Sequence, residues 1–371
     1  MKLSAGASGR ENNFNLLRLI ASLAVLVSHC FVLFSGDPSS EPWVRHIGMT
    51  PGSIAVDVFF VTSGFLVTAS LIKSQSAPDF LIGRLFRIFP GLWVMTLISV
   101  FLIGLHFTVM PASQYLRDEQ TQTFLVKDLT VIWGITGTLP GVFNELPYKA
   151  GVNGSLWTLP WEVRMYAGLL MIWLATRVVS RIRSMANARI LLAAVVLVTA
   201  FSAGKHFSNW FFHDEIDERF RLAYMFFSGA LYQLLKDRVH LHPWTAALAM
   251  ATVFATVTQG KLFFIAYHLL VPYAVLCLAC LPKGRILEFN RLGDYSYGLY
   301  IYAFPIQQSI LALAPTIEFA HFVAASTAAA GLAAIASWHW IEQPSIAAGG
   351  RLRGRLRSRL GAGRRQLAKV D

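Results

Sequence analysis

About ten apolar stretches, each close to the length needed to cross a bilayer, recur along this chain, and that recurrence constrains its fold more than any other feature. Roughly 20 apolar residues span the hydrocarbon core as a helix. Stretches of this kind fall at 15–35, 53–72, 88–108, 155–176, 189–204, 219–235, 242–258, 262–281, 295–314 and 319–341. Hydrophobic residues make up 55% of the chain and charged residues 14%, against about 25% charged in soluble domains. The mean hydropathy is +0.52. An all-α, polytopic helical bundle in a membrane follows. The first stretch exceeds a signal-peptide core, lacks a clear A-x-A site and precedes many more spans, so it reads as a retained span.

The net charge of +12 resolves the topology. A further apolar piece, 129–143, is broken by Gly134, Gly137, Pro140 and Gly141. If it crossed, the arginines from 177 to 189 would lie outside, against the positive-inside rule. It is therefore expected to be re-entrant or interfacial, with both termini cytoplasmic. One membrane domain, 1–345, is followed by a basic cytoplasmic tail, 346–371, whose RLRGRLRSRLGAGRR run suits an anionic lipid surface. The chain has no recognisable nucleic-acid module, so nucleic-acid binding is not expected. Cys30, Cys277 and Cys280 all sit in apolar segments, where they read as small core residues and not as metal ligands.

Ionisable residues inside spans are costly and usually functional. Arg18 and His29 share the first span, eleven positions apart, which on a helix puts them about 20° apart on one face and about 16 Å apart along the axis. Topology puts Arg18 on the inner side of the midplane and His29, Asp57 and Glu162 in one outer layer. That layer is a candidate proton-transfer site. Arg84 and Arg87 mark the inner end of the third span and have two readings: an anion-binding pair or interfacial snorkelling. Thr62, Ser63 and Gly64 permit close helix approach. Pro160 is expected to break the fourth span just before Glu162. Tyr295, Tyr297, Tyr300 and Tyr302 load the ninth span with phenols.

These residues form an ordered set: Arg18-x10-His29, VDVFFVTSGFLV at 56–67, Arg84-x-x-Arg87, NGSLWTLPWEVRMY at 153–166, LGDYSYGLYIYAFPI at 292–306 and Glu342-x-Pro344. In this the chain resembles the acyltransferase 3 family of integral-membrane O-acyltransferases of bacterial surface polysaccharides and secreted small molecules. The resemblance implies an acyl-CoA co-substrate, most often acetyl-CoA, with no bound cofactor or metal. It also implies a polysaccharide or lipid-linked oligosaccharide acceptor and a place in the bacterial inner membrane. Carried onto this sequence, His29, with Asp57 or Glu162 setting its basicity, is the candidate catalytic group. Arg18, Arg84, Arg87, Ser63, Trp157, Tyr166, Tyr297 and Glu342 are the candidate substrate-binding residues. Val163 and Arg164 follow Glu162 where the family often has a second acid, and Ala303-Phe304-Pro305 stands where it often has a histidine before the proline. Unlike larger members, the chain is expected to carry no C-terminal SGNH module. Rival readings are a transporter or flippase for a lipid-linked glycan, an O-acyltransferase for a secreted small molecule, and a non-catalytic assembly subunit.

Overall fold

The computed structural model describes residues 1–7, 9, 11–74, 76–183, 187–213 and 216–367. Among these residues the regular structure is helical, with only isolated β-bridges. The principal helices are α1 (Phe14–Ser35), α2 (Pro51–Ser74), α3 (Ala77–Leu97), α4 (Glu119–Thr130), α5 (Leu159–Arg183) and α6 (Asn187–His213). They continue as α7 (Glu218–Leu234), α8 (Pro243–Ala255), α9 (Lys261–Cys280), α10 (Ser296–Leu313), α11 (Phe319–Ser337) and α12 (Gln343–Leu367).

Among the described residues seven helical stretches are long and apolar enough to cross a membrane, and each overlaps an expected span. The other three expected spans coincide with α7, α8 and α10, which do not reach that standard. For α10 the reason is burial: from Ser296 to Pro305 every residue is buried in the bundle. A helix shielded from lipid by its neighbours can carry the polar load of Tyr297, Tyr300, Gln307 and Gln308, because those groups find partners in protein. The outer helices show the opposite pattern, with Leu197, Phe201, Leu248, Phe254 and Leu332 exposed.

Local chemistry sets the helix ends. Gly36, at φ 74°, ends α1 and returns its N–H to Val32 O at 2.8 Å, the left-handed cap that favours glycine. Ser76 caps α3 through the Asp79 N–H, and Asp217 caps α7 through the Arg219 N–H at 2.9 Å. The third span begins at Ala77, eleven residues before the expected start at 88, because Ser76 and Pro78 form a start signal. Arg84 and Arg87 thus lie inside this helix and do not mark its end. Pro160 does not break its span: a 3-10 turn, Gly154–Thr158, leads into α5, and the proline occupies the first turn, where its missing N–H costs nothing.

At the crossing of α2 and α7, a Cβ on Gly64 would collide with the Phe226 carbonyl, and one on Gly229 with the Val61 carbonyl. This is the close approach expected from Thr62-Ser63-Gly64. The segment 129–143 is helical only to Thr130; beyond it, Val142 pairs with Thr108 at the outer end of the third span. The basic stretch after 345 continues as helix from a π-turn at Trp338–Glu342. It lies along α3, with Arg357 bonded to Asp79 at 2.5 Å and Gly349 against Phe86. Its last residues, 368–371, lie outside the described residues.

Candidate active site

The inner half of the bundle gathers cations from separate helices around two carboxylates. Arg87 Nη2 lies 2.5 Å from Asp294 Oδ2, Arg87 Nη1 3.5 Å from Glu342 Oε2, and Arg18 Nη1 3.5 Å from the same Asp294 oxygen. Ser296 donates to Asp294 at 2.6 Å and Ser337 to Glu342 at 2.9 Å. Burial pushes the Asp294 carboxyl up, but the guanidiniums of Arg87 and Arg18 outweigh it and hold the group at about 2. Buried charges on this scale persist only when paired and hydrogen-bonded. Arg84 differs: its guanidinium lies 5.9 Å over the Tyr166 ring, and its Nε is buried without a hydrogen-bond partner.

Beside this cluster a narrow cavity of about 30 Å³ is lined by Arg18, Phe59, Ser63, Glu162, Tyr297 and Tyr300, among others. Glu162 accepts from Tyr166 Oη and, at 3.4 Å, from Ser63 Oγ. Tyr297 Oη donates to the Ile88 carbonyl at 2.7 Å. On the side of Asp294 towards the N-terminus of α1 a second, more open space is lined by Asn12, Asn290, Arg291, Tyr295 and Trp338. The Arg18–Asp294 pair therefore stands between the two spaces.

His29 sits farther out on α1. Its Nδ1 is buried without a partner, and its ring meets Phe304 edge-on at 5.4 Å, the residue standing where the family often has a histidine nearby. The NGSLW segment is fastened to α10 behind it. Asn153 Nδ2 donates to Ile301 O at 3.0 Å, Ser155 Oγ to Tyr300 O at 3.2 Å, and Thr158 bonds Tyr300 at 2.6 Å. Gln307 Nε2 donates to Leu26 O at 2.8 Å, locking α10 to the turn before His29.

The expected single layer of His29, Asp57 and Glu162 divides into separate surroundings. Glu162 belongs with the arginine cavity. Asp57 is fully buried, accepts from Tyr267 Oη at 2.9 Å and lies 3.7 Å from Arg221 Nε. Neither carboxylate is found hydrogen-bonded to His29 among the described residues. Equal depth in sequence does not bring side chains together, because α2 turns Asp57 towards α7 and α9. Arg164, a candidate neutraliser of these acids, instead stacks at 4.5 Å on Trp161, and Trp157 is half-buried against the main core. Sequence reasoning missed Asp294, Thr158 and Arg221 as parts of these clusters. Asp294 carried a signal, since it falls within the quoted LGDYSYG run at the depth of Arg18.

The profile of a family described as an acyltransferase domain matches residues 11–338. The chain belongs to the acyltransferase 3 family. It is a multi-pass membrane O-acyltransferase. An O-acetyl transferase of Shigella phage Sf6 is 31% identical over 304 residues, covering 81% of this chain and 86% of the relative. Nodulation protein 10 of Rhizobium leguminosarum bv. viciae is 30% identical, covering 92% and 94%. A putative peptidoglycan O-acetyltransferase of Bacillus subtilis is 24% identical, covering 79% of this chain and 50% of that protein. No solved structure matches. Glu342 and α12 lie beyond the matched residues, although Glu342 pairs with Arg87 from inside them.

Proposed function

We propose that this acyltransferase moves an acetyl group from acetyl-CoA, taken from the cytoplasm, to a hydroxyl of a surface polysaccharide or its lipid-linked precursor at the outer face of the bacterial inner membrane. The observation that supports this most is the division of labour along α1. Beside the paired Arg18 and Arg87, Arg84 offers a guanidinium in no ion pair among the described residues for the donor phosphates at the inner end, since guanidinium pairs well with phosphate. Eleven residues on, about 16 Å along the same helix, His29 presents an imidazole whose Nδ1 has no protein partner.

In the reaction the acceptor hydroxyl oxygen bonds to the thioester carbonyl carbon and the C–S bond breaks. His29 takes the hydroxyl proton, which then passes to the departing CoA thiolate. Alternatively, the imidazole nitrogen attacks first and carries the acetyl group to the acceptor. The names of the phage and Bacillus relatives as O-acetyl transferase and putative peptidoglycan O-acetyltransferase support an acetyl donor and a glycan acceptor. Purified protein in nanodiscs with isotope-labelled acetyl-CoA and candidate glycans tests the reading. One labelled acetyl per acceptor, seen by mass spectrometry and absent in His29→Ala, is expected. Glycan movement across the membrane without CoA release would overturn it in favour of a flippase.

A further inference from the structure

A second pocket opens at the outer end of the bundle, away from the arginine cavity. It holds about 190 Å³ and is walled by Trp210, Arg221, Phe264 and His268, with Gly48 and Met49 closing one side. Outward orientation follows from the topology: the C-terminal end of α6, the N-terminal ends of α7 and α9 and the loop before α2 all emerge there. Concave, largely apolar spaces on which a few polar groups converge are where small ligands commonly bind.

The polar atoms of the wall are unspent. Trp210 Nε1, Arg221 Nε and His268 Nε2 are all buried without a hydrogen-bond partner, although Arg221 and His268 are only 2% and 1% exposed. Burying such groups without a bond is costly, so an unfilled set marks a place where a ligand supplies the missing bonds. His268 Nδ1 lies 2.8 Å from the Phe264 carbonyl, so that nitrogen carries the proton and Nε2 is left as an acceptor. With Arg221 Nε turned to Asp57, the pocket thus offers one N–H donor, Trp210 Nε1, and one nitrogen acceptor, His268 Nε2, which suits a hydroxyl group that both gives and takes a hydrogen bond.

Charge and shape narrow the ligand. Arg221 is balanced by Asp57 at 3.7 Å and by Glu218 at 2.8 Å, so the wall has no spare cation to attract an anion. Trp210 and Phe264 stack on each other at 4.8 Å and 15°, giving the wall an apolar aromatic surface. We infer that this pocket binds a neutral sugar ring of the acceptor, with Asp57 acting as a positioning residue that holds Arg221 in its wall. The inference rests on the glycan acceptor proposed above. It also stands one loop from the reacting end of α1: the chain runs from Met49 to Gly52, whose N–H donates to Ser28 Oγ at 3.1 Å, and Ser28 precedes His29.

The test is saturation-transfer NMR on the full chain in nanodiscs with methyl glycosides of glucose, galactose, mannose and rhamnose, and glucuronate as the anionic probe. At least one neutral glycoside is expected to bind the wild-type protein. Its affinity should fall at least tenfold in Trp210→Ala and in His268→Phe, and less in Trp210→Phe, which keeps the ring but not the N–H. Trp244→Ala, on an exposed residue of α8, serves as the control and is expected to match wild type. Absence of neutral glycoside binding, preference for glucuronate, or equal affinity in Trp210→Ala and His268→Phe would each overturn the assignment. Acetyl-CoA binding is measured in parallel: its loss in wild-type protein would defeat the proposed function, whereas intact donor binding with unaltered glycoside binding in the variants defeats only the pocket.

Discussion

Arg84 and Arg87 stand one turn apart on the same helix, yet Arg87 is neutralised by Asp294 and Glu342 while the Nε of Arg84 is buried with no hydrogen-bond partner. The two should respond differently to removal. Arg87→Ala strands Glu342 and leaves Asp294 to Arg18 alone, and is expected to cost about 3–5 kcal/mol of stability, visible as a lowered melting temperature in detergent. Arg84→Ala breaks no ion pair within 4.0 Å among the described residues and should melt near wild type while raising KM for acetyl-CoA. Equal melting losses in the two variants would contradict this contrast.

His29→Ala should lower acetyl transfer by about 10²- to 10⁴-fold, the contribution of a positioned general base, with folded protein recovered from the membrane. Acid quenching of wild-type protein mixed with labelled acetyl-CoA separates the two roles of the imidazole. Label retained on the protein identifies a carrier; label found only on the acceptor identifies a base. Undiminished transfer in the variant would remove His29 from the chemistry.

Gly64→Ala forces a methyl group into the Phe226 carbonyl, a backbone atom with nowhere to go. A loss of about 1–3 kcal/mol is expected from overpacking, measured by thermal melting. Gly168→Ala is the counterpart: nothing lies within 4 Å of its Cβ position, so the same change in mid-helix should be neutral or stabilising by about 0.5–1 kcal/mol.

Asp128, at the end of α4 outside the spans, accepts from the Thr136 N–H at 2.7 Å through one oxygen while the other has no partner. Burial pushes its carboxyl up from 3.8 to about 7. The folded state therefore binds the proton more tightly than the unfolded state. The stability it contributes is full below pH 3.8 and is lost as pH rises to about 7, by up to about 4 kcal/mol. Asp128→Asn should flatten this slope, which melting curves between pH 4 and 8 would reveal as convergence with wild type at the acid end only.

The fold was legible wherever lipid dictates the residue type. Seven spans announced themselves as apolar runs, because a lipid-facing helix has no other composition open to it. α10 was delimited to within one residue at each end, although burial inside the bundle lets it carry Gln307 and Gln308. The start of α3 was misplaced because Arg84 and Arg87 resembled an interfacial boundary, whereas Asp294 and Glu342 allow charge deeper within it. For the site, depth could be read from topology but azimuth could not: Asp57 and Glu162 share a level, and only the packing of α2 against α7 reveals that they look into different spaces. Asp294 and Arg221 lie at or near helix starts, where charge is ordinary, so their inward roles left no mark in the apolar pattern.

The glycine crossing of α2 with α7 makes α2 a septum between two chambers. Ser63 reaches Glu162 on one side of it, and Asp57 holds Arg221 on the other; six residues of helix separate them by about 120° in azimuth and about 9 Å in height. With Gly64 pressed against the α7 backbone, the septum has no room to slide sideways. Side chains of this one helix thus face both chambers, and its thickness fixes the distance across which they act.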